Sequence, residues 1–153
     1  MSEETPIKRE RRKQARPGEL LEAALSLFVE KGFAGTRVEE VAAQAGVSKG
    51  TLFLYYASKE DLFKAVIQRN LSDHFPVWNQ EFDDFKGSTA EMVSYAMQTW
   101  WHKIGDTTAS GITKLVTSEA SNFPELVKFY ETEVMQPGHI LFKKILQRGI
   151  DLG

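Results

Sequence analysis

Hydrophobic positions recur along this chain at intervals of three and four residues and do not alternate over any useful length, which predicts an all-α protein. In RPGELLEAALSLFVEKGF, Leu21, Ala24, Leu25 and Phe28 fall at i, i+3, i+4 and i+7. Pro17 suits a first turn and Gly32 a C-terminal stop, so the first helix is expected over about 17–31. TRVEEVAAQAG then opens with Thr36 and, three residues on, Glu39, the spacing of a capping box. Val38, Val41, Ala42 and Ala45 form its apolar stripe and Gly46 ends it, giving a short helix over roughly 37–45. Ser48 is placed to cap a third helix, roughly 49–55. Ser58 with Asp61 caps a fourth, striped by Leu62, Phe63, Val66 and Ile67, which is expected to reach about Phe75, before Pro76.

The second half carries the same periodicity with more interruptions. Trp78, Phe82 and Phe85 lie among Glu81, Asp83 and Asp84, and 76–87 reads as a helix end followed by a loop. Ser88 with Glu91 opens a helix at about 89–104, with Met92, Tyr95, Ala96 and Thr99 at helical spacing. Ile112 to Ala120 is a shorter helix. Asn122, Pro124 and Glu125 mark the start of a last helix running from about 123 towards 149, in which Pro137-Gly138 predicts a kink or break.

Composition narrows the chemistry. The 153 residues include no cysteine, which excludes disulfides, thiolate metal sites and cysteine nucleophiles. The polar N-terminus lacks a secretory h-region, and no apolar run approaches the roughly 18 residues of a membrane span, so a cytoplasmic protein with no membrane partner is expected. Charge is unevenly spread. Residues 1–59 hold ten Lys/Arg against eight Asp/Glu, and residues 60–153 hold nine against thirteen. Six of the nine residues from Lys8 to Arg16 are basic. Residues 1–13 are expected to be a disordered basic arm, either solubilising or following phosphates. The three histidines are scattered without metal spacing, so no metal or other cofactor is expected. There is no nucleophile–base grouping and no GxxxxGK[ST] loop, which argues against an enzyme.

The second and third helices, joined by the glycine-containing turn AGVS, have the helix-turn-helix pattern; an ordinary αα-hairpin within a bundle is the alternative. Gly46 supplies the turn residue with φ > 0, and Ala42 and Ala45 are small enough for a close crossing. Val47, Leu52 and Tyr56 fall on the inward side of the third helix, with Lys49, Gly50, Phe53 and Leu54 outward.

The stretch VAAQAGVSKGTLFLYYASKEDL, preceded by LLEAALSLFVEKGF, closely resembles the TetR family of bacterial transcriptional regulators. The resemblance covers about residues 14–74, with the helix-turn-helix proper at about 37–56. It implies a DNA-binding head, a helical ligand-binding and dimerisation body over 75–153, and a homodimer on double-stranded palindromic operator DNA. The third helix would enter the major groove. Ser48, Lys49, Gly50 and Thr51 at its start would lie against DNA, Lys49 reaching guanine or phosphate and Gly50 allowing close backbone approach. Tyr55 and Lys59 match the family's phosphate-binding tyrosine and lysine, and Thr36 and Arg37 would hold a phosphate at the second helix's N-terminus. Phe53 and Leu54 depart from the family, which usually has a tyrosine and a polar residue there; apolar contact with thymine methyls is expected instead.

For the body, the resemblance implies a pocket for a small hydrophobic effector. Trp78, Phe82, Met97, Trp100, Trp101 and Phe129 are its candidate walls, with His74, Gln98, Thr99 and His102 as polar candidates. Adjacent Trp100 and Trp101 cannot face the same way on one helix. The expected function is a repressor released from its operator by that ligand, with control by a protein partner as the alternative. The resemblance also implies two further helices that pair across the dimer. They are absent from the 153 residues, so the body is expected to be incomplete.

Overall fold

The computed structural model describes the backbone from Pro6 to Leu152 and side chains from Pro17. Among the described residues there are nine α-helices and no strand. The chain divides into two compact units, a head up to Val66 and a body from Ile67. The sequence puts that boundary near 74; it falls earlier because Leu71 already belongs to the body's interior.

The head consists of α1 (Pro6–Lys31), α2 (Val38–Gln44), α3 (Lys49–Tyr55) and α4 (Lys59–Ile67). Its core is closed by three phenylalanines, with Phe28–Phe33, Phe28–Phe63 and Phe33–Phe63 centroids at 5.7, 5.0 and 5.4 Å. All three are essentially inaccessible, as are Leu20, Val41, Leu52 and Leu62. Burial of each such side chain contributes about 1.5–3 kcal/mol, and favourable aromatic pairing adds about 0.5–1.5 kcal/mol per pair. Gly32 ends α1 at φ 80°, with its N–H on the Phe28 carbonyl at 2.9 Å. Gly46 makes the α2–α3 turn at φ 73°, after which Val47 N–H returns to the Ala42 carbonyl at 2.9 Å. Both glycines sit where the sequence places them.

The start of α1 differs from expectation. The helix begins at Pro6 and carries Pro17 inside it, so residues 6–13 are helical rather than a disordered arm. Lys, Arg and Glu dominate that run, all good helix formers. Residues 1–5, and the side chains of the basic run Lys8–Arg16, lie outside the described residues.

The body comprises α5 (His74–Asp83), α6 (Thr89–Trp100), α7 (Ser110–Ser118), α8 (Pro124–Tyr130) and α9 (Gln136–Leu152). π-helical turns occupy 68–72, 101–105 and 131–135. Two prolines proved less disruptive than expected. Pro76 lies in the first turn of α5, where a missing N–H costs no helical hydrogen bond, so 76–83 is helix and not loop. Pro137 is the second residue of α9, and the interruption expected at Pro137-Gly138 is instead the π turn just before it.

The α6 start is as expected. Ser88 Oγ accepts from Glu91 N–H at 3.2 Å, and Glu91 accepts from Ser88 N–H at 2.6 Å. These bonds hold the Glu91 carboxyl below its usual range. Helix α9 packs on α5 and α6. Arg148 ties it to the α5–α6 loop through the Gly87 carbonyl at 2.6 Å and Thr89 Oγ1 at 3.3 Å, and Lys144 pairs with Asp83.

Candidate functional site

The outward face of α3 is built from the turn upward. Ser48, in extended conformation, caps the helix: its Oγ accepts from Thr51 N–H at 3.1 Å and lies 3.0 Å from the Thr51 hydroxyl. Leu52 anchors the inward face with no accessible surface. Phe53, Leu54 and Tyr55 are therefore turned out, at 39%, 84% and 42% exposure. A side chain at Gly50 would find only Ser48 Oγ, 3.9 Å away, so the absence of a Cβ there answers no crowding within the head.

Lys49 bonds to Glu39 of α2 at 2.5 Å, and its ammonium lies 5.8 Å from the Phe53 ring centroid. The hydrogen bond from Lys49 is the main cause holding the Glu39 carboxyl below its usual range. The pair is solvent-exposed and weak enough to exchange for another anion.

Three expected contacts are rearranged. Thr36 is only 1% exposed, and its hydroxyl donates inward to the carbonyls of Gly32 at 2.7 Å and Leu27 at 3.1 Å. It neither caps α2 nor presents its side chain outward. Arg37 is the N-cap, and Glu40, not Glu39, accepts from its N–H at 3.1 Å. Glu40 is also fixed by Lys31 at 2.9 Å, a bond that depresses the carboxyl and raises the lysine. Lys59 donates to the carbonyls of Phe33 at 2.8 Å and Thr36 at 3.2 Å, with its ammonium 4.5 Å from the Phe33 ring centroid. Before it can reach a phosphate it must leave this loop. Arg37 remains exposed beside α2, on the same unit as the α3 face.

The body holds a cavity of about 400 Å³. Four of the six candidate wall residues line it: Trp78, Phe82, Met97 and Trp100. Trp101 and Phe129 do not. Trp101 opens the π turn 101–105 and packs against Gly105, where an added Cβ would meet its ring at 2.7 Å. Phe129 is half-buried on α8, one residue before Tyr130, which does line the cavity. The helix periodicity of α9 could have pointed to Leu141 and Ile145, which the sequence reading passed over.

The four polar candidates come together elsewhere. His74, Gln98, Thr99 and His102 line a second cavity of about 430 Å³ beside α5 and α6, and Thr99 reaches the first cavity as well. His74 stacks on Trp78 at 5.1 Å between centroids. Burial, and secondarily Lys103, lower its pKa from the ordinary histidine value. Among the described residues no group of three or more His, Cys, Asp or Glu is arranged to hold a metal ion, and no helix is long and apolar enough to cross a membrane.

A helix-turn-helix with an open α3 face, followed by an all-helical body with a half-open apolar cavity, defines the class of protein. Residues 20–66, most of the head, match the model of the bacterial regulatory proteins, tetR family. The HTH-type transcriptional regulator RutR of Escherichia coli (strain K12) is 38% identical over 90 residues, covering 59% of this chain and 41% of that one. This chain thus spans well under two thirds of that relative's length. The HTH-type transcriptional regulator YfiR of Bacillus subtilis (strain 168) is 28% identical over 146 residues, 92% of this chain and 68% of that one. Among solved structures, the transcriptional regulator FadR from Bacillus subtilis, in complex with stearoyl-CoA, matches with a TM-score of 0.73. That match covers 88% of this chain and 71% of that one at 24% identity, and it shows a shared fold.

Proposed function

We propose that the protein is a sequence-specific DNA-binding regulator: a cytoplasmic repressor that leaves its operator when a small hydrophobic ligand occupies the body. The observation carrying this reading is the outward face of α3, where Lys49, Gly50, Phe53 and Leu54 are solvent-facing on a helix whose start and turn are fixed by Ser48 and Gly46. A major groove admits such a helix, and base edges there present a readable pattern. Lys49 exchanges Glu39 for a guanine edge or phosphate, Thr51 and Tyr55 offer hydroxyls to the backbone, and Arg37 lies at an N-terminus suited to an anion. Leu54 and Phe53 meet thymine methyls.

The apolar cavity supports the ligand-responsive part, and its size suits a small molecule. FadR's complex with stearoyl-CoA is a precedent for a ligand with a long acyl chain on this fold. Ligand binding shifts a homodimer between two arrangements of its heads, and a differential affinity of a few kcal/mol changes operator occupancy tenfold or more. Two half-sites one helical turn apart are the expected operator. The test is a gel shift of the protein with its own upstream region across a salt series. Specific binding that weakens steeply with salt supports the reading. A dimeric sample showing no preference over unrelated DNA overturns it.

A further inference from the structure

The cavity wall is apolar except at a few points, and one of these has chemistry to spare. Thr113 of α7 and Tyr130 of α8 both line it, and their hydroxyl oxygens lie 2.7 Å apart. Tyr130 is only 9% exposed, whereas Thr113 is reached by solvent. Each hydroxyl carries one proton and can accept as well. The bond between them uses one proton, whichever residue donates. Among the described residues neither hydroxyl has another partner. One O–H donor is therefore left at the wall of a cavity that otherwise offers little to bond. His139 of α9 lines the same cavity.

We infer that the Thr113–Tyr130 pair is a headgroup site, and that the effector is an apolar molecule carrying one hydrogen-bond acceptor, a carbonyl or carboxylate oxygen. This rests on the reading of the cavity as the effector site. The mutual bond orients both hydroxyls before a ligand arrives, so the spare proton is directed without further ordering cost. With Thr113 donating to Tyr130, the spare proton is that of the buried phenol, and a ligand lacking an acceptor leaves it unpaired, so the site discriminates against such a ligand. The cavity volume alone would tolerate many hydrophobic shapes; the hydroxyl pair is what selects among them.

The test compares three probes of one size: butylbenzene, butyrophenone and 4-phenylbutyrate, titrated calorimetrically into the intact protein. The inference expects the ketone or the carboxylate to bind about tenfold tighter than the hydrocarbon, the effect of one well-made hydrogen bond. Preference for the ketone identifies a neutral carbonyl ligand, and preference for the carboxylate an acid, with His139 nearby. The double variant Thr113→Val/Tyr130→Phe removes both partners together, a change that leaves folding nearly unaffected. It is expected to bind all three probes with the hydrocarbon's affinity. Thr113→Val alone should lower the preference part of the way, because Tyr130 loses the group that orients it. Equal binding of the three probes by the native protein, or a preference that survives the double variant, overturns the headgroup site while leaving the cavity as an effector site. Failure of all three to bind overturns both.

Discussion

The head and the body use similar side chains in opposite ways. In the head, Phe28, Phe33 and Phe63 fill the centre, and the residues that can meet a partner stand outside on α3. In the body, Trp78, Phe82 and Trp100 surround an empty volume of about 400 Å³. Aromatic content does not separate the two units; packing does. A closed core fixes the shape of an outward surface, which direct readout of DNA requires. An open interior leaves room for a ligand to alter the packing.

The contrast can be broken most strongly at the core. Phe28→Ala should cost about 3–5 kcal/mol in denaturant unfolding of the head, the range for truncating a packed aromatic. Met97→Ala, on the cavity and largely exposed, should cost less than about 1 kcal/mol. Equal losses would mean that the body is as tightly packed as the head.

Thr36→Val comes next. It strips the donor from the Gly32 and Leu27 carbonyls in a buried position and should destabilise the head by about 1–3 kcal/mol. The salt slope of DNA binding should stay unchanged, since the hydroxyl points inward; a shallower slope would return Thr36 to the phosphate contacts.

His74 gives a smaller, pH-dependent effect in the body. Its pKa is lowered by burial and by Lys103, against the opposing charge of Asp73 and a hydrogen bond to the Asn70 backbone. The unfolded chain therefore binds the proton more readily, and stability falls as pH drops through the ordinary histidine range near about 6.5. His74→Gln should flatten that part of the pH–stability curve, measured by thermal melts between pH 5 and 8 (roughly the range over which histidine titrates).

Smallest in stability is Leu54→Ala, expected within about 0.5 kcal/mol because the side chain is mostly solvated. Its effect belongs to recognition: affinity should fall most on operator variants keeping the thymine that Leu54 meets. Uniform loss across variants would remove the methyl contact.

What the sequence discloses follows from how local each cause is. Gly32, Gly46, Ser48 and Ser88 were readable because a turn or cap is decided within four residues. The α2 cap slipped by one position because Glu39 and Glu40 stand side by side and both fit the spacing; Lys31, distant in sequence, fixes Glu40. Thr36 and Lys59 have intramolecular partners for a related reason. Each satisfies backbone carbonyls of the α1–α2 segment, which periodicity does not reveal. In the body, Trp101 falls off the cavity that Met97 and Trp100 line because neighbouring residues on one helix point in different directions, although periodicity alone does not say which of the two tryptophans faces inward. Pro76 and Pro137 look like breaks until the first-turn positions they occupy are known.

The central claim is that α3 is shaped for a surface outside the head, and Gly50→Ala tests it most directly. Within the head the added methyl meets nothing closer than Ser48 Oγ at 3.9 Å, and alanine favours a helix over glycine by up to about 1 kcal/mol. Thermal melts and operator titrations on the same sample are expected to show a head at least as stable as the native one, with operator affinity reduced tenfold or more. An equally stable variant that binds the operator with native affinity would contradict the claim.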